Sequence, residues 1–377
     1  MRDVFVIGVG MTAYSKPTAT PYAELGLTAL RAALRDGGVP WTDVQTTYVA
    51  SALTGVAIGQ PMLAHLGSSS APICHVENAS ASGSTAIERA FRQVASGEAD
   101  LVAVIGVDKP TQRPIGESLI SGGSWAEEEL APILRFALMA ERYSQDRGWT
   151  REDYARVAVK NHGNAALNPA SQSPGPVSLE EVLESPQIAG MLSRYECCPV
   201  GEGAAAVLVG SAEAVRHSAG GARPAVRILG ASAISEPFVE STLIPEVELT
   251  RISAVQALEE AGRSIHDVDV IELHDAFAVE ELAYLEAMGI SADGDVARDA
   301  MAGHFDIGGR CAVSPSGGLL GMGHPIGPTG VGQVVEIVTQ LRGEAGDRQQ
   351  PGARVGLAHM VGLGAVCVTH VFEAAQA

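Results

Sequence analysis

Strand-like apolar runs alternate with helical patterns along almost all of the 377 residues, and this alternation restricts the fold more than any other feature. Residues 3–9 and 101–107 are continuous apolar runs of the kind found in buried strands. Residues 21–37 and 82–97 instead space their apolar side chains at the helical period of 3.6. Buried strands with helices on both faces predict an α/β protein with a parallel or mixed sheet.

The second half of the chain repeats this kind of pattern. We predict strands at residues 225–231, 268–273, 354–360 and 365–373, and helices at residues 247–262, 278–288 and 325–342, the last beginning at Pro325. The order helix, glycine-rich stop and apolar strand occurs near residues 82–107 and again near residues 325–371. This repetition indicates an internal duplication, and therefore two similar halves.

These patterns also predict how the halves are divided along the chain. The N-terminal half takes residues 1–111 and 191–220, and the C-terminal half takes residues 221–377. Residues 112–190 are rich in polar side chains and prolines and lack a clear period. We therefore expect a loop or cap region inserted between two strands of the core.

The charge and cysteine content exclude several classes of protein. The net charge is −19 with only three lysines and no basic run, which argues against a nucleic-acid partner. No apolar run is long enough to span a membrane. The five cysteines show neither a CxxC pattern nor metal-ligand spacing, so we expect no metal site and a reduced, cytoplasmic location.

The segment VENASASGS at residues 76–84 is the first place where chemistry is expected. A strand runs into a helix through small residues, and the amides and dipole at a helix N-terminus favour a thiolate or a developing oxyanion. Ser80, Ser82 and Ser84 are the candidate nucleophiles. The alternative is an ordinary serine-rich helix cap.

Two further segments place a histidine beside a strand end or a tight loop. ELHDAF contains His274 and Asp275 at the end of a buried strand, where ligands often bind in α/β sheets. SPSGGLLGMGHPIGPTG holds His324 among six glycines and three prolines, and a rigidly held imidazole suits general base catalysis. Taken alone, a capping Asp with a surface His and a turn with an incidental His explain these patterns equally well.

Together the segments resemble the thiolase superfamily, most closely the sterol-carrier-protein-type thiolases and their bacterial thiolase-like relatives. The similarity extends over nearly the whole chain. ENASASGS resembles the family's nucleophile segment, HDAF its His-Asp-Cys/Ala-Phe segment, and GGLLGMGHPIGPTG its Gly-His-Pro segment. CCPVGEGAAAVLV resembles a central strand and HMVGLGA the C-terminal glycine loop. The resemblance implies a thiolase fold, an α/β protein whose two similar halves form a layered αβαβα core.

The resemblance also implies roles for four residues. Ser80 occupies the position of the family's nucleophilic cysteine, and His324 matches the histidine that activates it and contributes to the enolate oxyanion hole. His274 would orient a water in that hole. The amides of Ser80 and Gly362 would form the hole for the acyl-enzyme oxygen. No bound cofactor is implied, since CoA and acyl-CoA are substrates.

Two departures from the family pattern concern the reacting groups. A serine hydroxyl is far less ionised than a thiol at neutral pH. The second cysteine of the family, which moves the α-carbon proton, is replaced by Ala276 or Met360, according to which of its two usual positions is compared. Three explanations for Ser80 are open: a deliberate replacement of a natural cysteine, a natural serine in a non-covalent lyase, or a natural serine that is still acylated.

Three functions follow as hypotheses. The first is an acyl-CoA C-acyltransferase that cleaves 3-ketoacyl-CoA with CoA or runs the reverse Claisen condensation. The second is a thiolase-like aldolase or lyase that cleaves a CoA-linked side chain without an acyl-enzyme. The third is a non-catalytic acyl- or lipid-binding subunit. The resemblance further implies a homodimer or a dimer of dimers, and a small OB-fold/zinc-ribbon protein as partner.

Overall fold

The computed structural model describes residues 2–67, 69–110, 132–173, 175–218, 223–235, 245–363 and 366–375. The strands of the N-terminal half are β1 (Val4–Met11), β2 (Thr46–Ala50), β3 (Ile73–Val76), β4 (Leu101–Asp108) and β7 (Gly203–Ser211). Its helices are α1 (Tyr22–Gly37), α2 (Gly59–Leu63), α3 (Ser82–Ser96) and α7 (Ala212–His217). The strands of the C-terminal half are β8 (Val226–Ser235), β9 (Val270–Glu272), β10 (Ala312–Val313), β11 (Val355–Gly362) and β12 (Val366–Glu373). Its helices are α8 (Pro245–Ala261), α9 (Ala278–Met288), α10 (Val296–Met301), α11 (Gly318–Met322) and α12 (Thr329–Leu341).

The strand order shows that the two halves have the same topology. The large sheet runs β10-β9-β11-β12-β8-β1-β7-β4-β2-β3. Reading outward from the centre, each half has two antiparallel pairings followed by two parallel ones. The halves meet where Val4–Val6 of β1 pair with Val226–Ile228 of β8. The predicted α/β class and the two similar halves are confirmed.

Helices α3 and α12 form the layer between the halves and contact strands from both of them. Helix α1 lies against β1, β7 and β4, and helix α8 lies against β8, β12 and β11. Since α12 is buried along nearly its whole length, its apolar side chains face strands on more than one side. This arrangement gives the layers α, β, α, β and α.

Glycines let α3 and α12 approach each other at their N-terminal ends. A Cβ atom added to Gly83 would lie 2.7 Å from the Gly327 carbonyl oxygen. One added to Gly330 would overlap the Ser84 hydroxyl. The two helices therefore meet through backbone and small atoms at these positions.

The inserted region is more regular than the sequence pattern suggested. Its described part contains helices α4, α5 and α6, at Pro132–Arg147, Arg151–Ala166 and Leu179–Glu184, and strand β5 at Gln187–Ala189. Strand β5 pairs with β6 at Leu192–Ser193, which lies just beyond the predicted region. Residues 112–131 and 174 of the predicted region lie outside the described residues. Capping boxes at Thr150 and Ser178 begin α5 and α6, so the local signal for these helices was present in the sequence.

One predicted helix start was wrong. Helix α12 begins at Thr329, not at Pro325. Ile326 has a positive φ of 56°, which a right-handed helix does not permit. The Gly327 amide donates to Asp108 instead of joining a helix. The segment is therefore a loop that turns just after His324.

In the part of the chain that the structure describes, no helix is long and apolar enough to cross a bilayer. The boundaries assigned to the halves stay a prediction.

Candidate active site

Ser80 lies in the turn between β3 and α3. Ala79 adopts a positive φ of 48°, and the Ala81 amide donates to the Asn78 carbonyl at 2.9 Å. This strained turn places Ser80 directly before Ala81, the N-cap of α3, with 9% of the Ser80 surface exposed. The side chain therefore lies at a helix N-terminus but inside the protein.

The other two candidate nucleophiles have structural contacts. The Ser82 hydroxyl accepts a 2.9 Å hydrogen bond from the Asn78 amide and donates to the Ala79 carbonyl. Ser84 is buried where α3 meets Gly330. The Ser82 hydroxyl therefore stabilises the turn, Ser84 lies at the contact between the helices, and Ser80 is the one of the three that reaches a histidine.

Ser80 and His324 are hydrogen-bonded. The Ser80 Oγ lies 2.9 Å from His324 Nε2, and His324 Nδ1 lies 2.8 Å from the Thr329 hydroxyl. Burial holds the pKa of His324 well below its usual value, and the nearby charge of His274 adds to this effect. A neutral ring with its proton on Nδ1 donates to Thr329 and leaves Nε2 to accept the Ser80 proton.

The loop that holds His324 is fixed to the N-terminal half. The His324 amide donates to the Pro199 carbonyl at 2.9 Å, and the Gly327 amide donates to Asp108 Oδ2 at 2.7 Å. Asp108 ends β4 and is buried. Burial raises the pKa of Asp108, while hydrogen bonds from Ala52 and neighbouring groups oppose the increase. Asp108 thus connects the two halves beside the candidate base.

His274 lies next to His324 at the end of β9. The two imidazole rings are 5.8 Å apart between centroids and nearly perpendicular, at 89°. His274 Nδ1 lies 2.9 Å from Glu280 Oε1, which also accepts the Tyr284 hydroxyl at 2.9 Å. Glu280 Oε2 accepts the Phe277 amide at 2.8 Å. Glu280 was not predicted from the sequence, although it lies six residues after His274 at the start of α9.

Asp275 has a structural contact set and does not pair with either histidine. Its Oδ1 accepts the Leu319 amide at 2.7 Å, and its Oδ2 accepts the Asn161 side-chain amide at 2.6 Å. Through these bonds Asp275 fixes the start of α11 and joins it to α5. The neighbouring His274 thereby gains a rigid backbone.

Gly362, the last residue of β11, lies against the Ser80 turn. A Cβ atom added there would overlap the Asn78 carbonyl oxygen and lie 3.0 Å from Ala81 Cβ. The backbone of β11 therefore comes as close to the turn as a glycine allows. Ser80, His324, His274 and Gly362 are thus close together, as the sequence analysis expected, but their catalytic roles stay predictions.

The positions where the family carries its second cysteine form an apolar wall. Ala276 and Met360 are buried in a cluster with Ala81, Leu319 and Val368. Cys198 packs against this cluster, and its amide donates to the Ala276 carbonyl at 2.8 Å. Burial raises the pKa of the Cys198 thiol well above its usual value. Neither Ala276 nor Met360 can exchange a proton.

Comparison with known proteins identifies the family. Residues 4–213 match the family described as "Thiolase, N-terminal domain", and residues 230–373 match the one described as "Thiolase C-terminal domain-like". The chain belongs to the thiolase family. This thiolase is 34% identical to sterol carrier protein 2 of Homo sapiens in an alignment that is 396 residues long. The alignment covers 99% of this chain and 72% of that protein. It is also 34% identical to an acetyl-CoA acetyltransferase of Methanothermobacter thermautotrophicus, over 99% of this chain and 100% of that protein.

Solved structures confirm the thiolase fold. The structure of the Ltp2-ChsH2(DUF35) aldolase superposes with a TM-score of 0.84 at 24% identity, covering 99% of this chain and 98% of that one. Human mitochondrial 3-ketoacyl-CoA thiolase superposes with a TM-score of 0.79 at 18% identity, covering 100% of this chain and 99% of that one. At these identities the likeness concerns the fold alone.

Proposed function

We propose that this thiolase is an acyl-CoA C-acyltransferase, which cleaves a 3-ketoacyl-CoA with CoA or runs the reverse Claisen condensation. The observation that carries the proposal is the 2.9 Å hydrogen bond between Ser80 Oγ and His324 Nε2 at a helix N-terminus. A nucleophile in hydrogen-bond contact with a neutral base, itself oriented by a third group, is the arrangement used in acyl transfer. Thr329 is the third group here.

Cleavage requires the position-80 group to lose its proton to His324 and attack the 3-keto carbon. The bond between the 2- and 3-carbons then breaks, and its electrons leave on the CoA-bearing fragment as an enolate. That fragment takes up a proton on its 2-carbon and departs as acetyl-CoA, while the shortened acyl chain stays on position 80. The thiol of a second CoA next accepts the acyl group from position 80. The amides of Ser80 and Gly362 would stabilise the oxyanion of each tetrahedral intermediate.

Serine lowers the expected rate of these steps. Its hydroxyl is far less ionised than a thiol at neutral pH, so proton removal by His324 costs more free energy. The low pKa of His324 in its buried position makes the ring a weak base. The Ser80→Cys variant combines the same base with a more acidic nucleophile, and we expect it to be the more reactive form.

Intact-protein mass spectrometry after mixing with acetyl-CoA and longer acyl-CoAs tests this proposal. We expect an acyl adduct on the Ser80→Cys variant, together with CoA-dependent cleavage of one or more compounds in a panel of 3-ketoacyl-CoAs. The double variant Ser80→Cys, His324→Ala should acylate about 100-fold more slowly because the base is gone. If the Ser80→Cys variant neither acylates nor cleaves any compound, the acyltransferase proposal is wrong.

A second candidate is an aldolase or lyase that forms no acyl-enzyme. Two observations favour it: positions 80, 276 and 360 carry no thiol, and the fold is similar to that of the Ltp2-ChsH2(DUF35) aldolase. An aldehyde or ketone released from a CoA-linked side chain without added CoA would support this function. Acyl-chain binding without turnover, in both this protein and its Ser80→Cys variant, would instead indicate a binding subunit.

The partners of this thiolase are also proposals. A homodimer or a dimer of dimers is supported by β3, which ends the sheet and, among the described residues, pairs with β2 alone. Cys74 and His75 of this strand are exposed. A small OB-fold/zinc-ribbon protein remains the proposed additional partner, and the cytoplasmic location stays a prediction. Light scattering of the purified protein, alone and with a candidate partner, measures both assemblies.

A further inference from the structure

One step of the proposed function, proton transfer at the substrate α-carbon, has no residue assigned to it at the positions where the family carries its second cysteine. Enolate formation or capture moves a proton at the substrate α-carbon, but Ala276 and Met360 have no group that exchanges protons. We propose that His274, oriented by Glu280, transfers this proton. The inference rests on the proposed function and goes beyond the water-orienting role that the family resemblance implies for His274.

The two ring nitrogens of His274 differ in their hydrogen bonds. Nδ1 is bound to Glu280 Oε1 at 2.9 Å, so the proton on that nitrogen is directed to the carboxylate. No described residue hydrogen-bonds to Nε2, which leaves its lone pair for a ligand. An imidazole held in this way by a carboxylate has its tautomer and orientation fixed for proton transfer at Nε2.

Among the described residues, His274 is the one basic side chain paired with Glu280. The Glu280 side chain is fully buried, and its other two hydrogen bonds come from the uncharged Tyr284 hydroxyl and Phe277 amide. Within the described residues no lysine or arginine forms an ion pair with it. A protonated His274 is therefore its counter-ion, and a buried carboxylate without a counter-ion is costly.

Neighbouring carboxylates are neutralised differently. Glu281, the next residue along α9, pairs with Lys160, and Glu246 pairs with Arg135. Their charges are compensated by permanent cations. Glu280 alone among these three is paired with a histidine, whose ring, unlike a lysine or arginine, can act as a proton carrier. The local charge balance is thus completed when His274 accepts a proton.

The two histidines of the site have different environments and hence different tasks. His324 Nδ1 is bound to a hydroxyl, and its Nε2 is bound to Ser80. His274 Nδ1 is bound to a carboxylate. Since a carboxylate stabilises an imidazolium more than a hydroxyl does, His274 suits a step that needs a charged acid or its conjugate base. His324, whose Nε2 is bound to Ser80, suits proton removal from the nucleophile.

The step balances in both directions. In condensation the α-carbon–hydrogen bond of the donor acyl-CoA breaks, the proton moves to His274 Nε2, and the electron pair passes to the thioester oxygen as an enolate. In cleavage the breaking carbon–carbon bond leaves the same enolate, and its α-carbon takes the proton back from His274. Glu280 accepts no proton and serves as a positioning residue.

Exchange of the α-protons of acetyl-CoA and propionyl-CoA in D₂O measures this step separately from acyl transfer. The parent and the Ser80→Cys variant are each compared with His274→Asn, whose amide can still orient a water but cannot take a proton. We expect His274→Asn to slow exchange about 100-fold or more. Glu280→Gln keeps the shape but not the charge and should slow it about 10-fold or more, with partial recovery in Glu280→Asp.

Cys198→Ala is the matched control, because it removes the thiol that packs against Ala276 and Met360. We expect exchange to continue in this variant, and thermal unfolding should show that all variants are folded. Exchange in His274→Asn within about threefold of its parent would overturn the proposal, as would loss of exchange in Cys198→Ala alone. Absence of exchange from both the parent and the Ser80→Cys variant would overturn it as well. Exchange without any acyl adduct would instead uphold His274 and refute the acyltransferase proposal.

Discussion

Asp108 accepts a 2.7 Å hydrogen bond from the Gly327 amide, and this bond joins the end of β4 to the loop that holds His324. The same carboxylate accepts bonds from the backbone amides of residues 52–54 and from the Ser51 hydroxyl. Both oxygens are therefore occupied by donors. Together with the bond from the His324 amide to the Pro199 carbonyl, this side chain holds the His324 loop against the other half of the protein.

We predict that Asp108→Asn lowers the free energy of unfolding by about 2 kcal/mol or more, since an amide NH₂ in place of either oxygen faces N–H donors. The His324 loop should loosen, so the acylation rate of the Ser80→Cys variant should fall too. Urea unfolding and mass spectrometry measure the two effects. The exposed Asp43→Asn serves as control, and an equal loss of stability in both variants would contradict the prediction.

Thr329→Val should impair catalysis while leaving substrate binding almost unchanged. The substitution keeps the branched shape but removes the hydroxyl that lies 2.8 Å from His324 Nδ1. His324 then loses the group that fixes its orientation, and we expect kcat in the Ser80→Cys background to fall about 10-fold or more. Thr329→Ser retains the hydroxyl and should keep most of the activity. Steady-state kinetics with equal kcat for the Val and Ser variants would refute this role.

Gly362→Ala should displace the Ser80 turn. The added Cβ would overlap the Asn78 carbonyl, which is backbone and cannot rotate away. A displacement near 1 Å typically costs about 100-fold in rate, so acylation of the Ser80→Cys variant should fall by that order. Gly163→Ala is the matched control because its Cβ meets no atom within 4 Å, and it should gain about 1 kcal/mol of stability from helix propensity. Normal acylation in Gly362→Ala would show that the turn tolerates the methyl group.

Glu272→Gln should change how stability depends on pH. Burial raises the pKa of Glu272 to about 8, and the charge of Glu336 adds to the increase. Because the folded-state pKa lies above the unfolded value of about 4.3, the stability linked to the protonated form is lost as pH rises toward 8. A glutamine can accept from the Ser316 amide and donate to its hydroxyl without ionising.

The variant should therefore lose less stability than the parent between pH 5 and pH 8, by about 1 kcal/mol or more. Urea unfolding at pH 5, 6.5 and 8 gives the two curves. Parallel curves would mean that Glu272 does not control the slope in this range.

The sequence predicted that Ser80 and His324 would lie together, but not the groups that orient the histidines. The small-residue turn at Ser80 and the glycine-rich loop at His324 are local patterns, and their resemblance to one family brought them together. The partners of the histidines depend on how helices begin. Thr329 meets His324 because α12 starts four residues later than the Pro325 signal suggested.

The choice of Glu280 could not be read from periodicity. Glu280 and Glu281 are adjacent in α9 and both are fully buried, yet one faces His274 and the other Lys160. A polar–apolar pattern treats the two carboxylates alike, because it distinguishes buried from exposed faces and not one buried surface from another. The helices of the inserted region were missed for a different reason: their capping boxes are short local signals within a polar stretch.

The close backbone approach of α3 and α12 at Gly83 and Gly330 has a consequence for how this protein can change over generations. Helix α3 begins at Ser82, close to Ser80, and α12 begins at Thr329, close to His324, so these glycine contacts help to set the spacing of the two side chains. Substitutions in the outer layers can then alter stability while the reaction geometry stays the same. The apolar core is free to drift in composition, whereas mutations at these two glycines are expected to be eliminated by selection on activity.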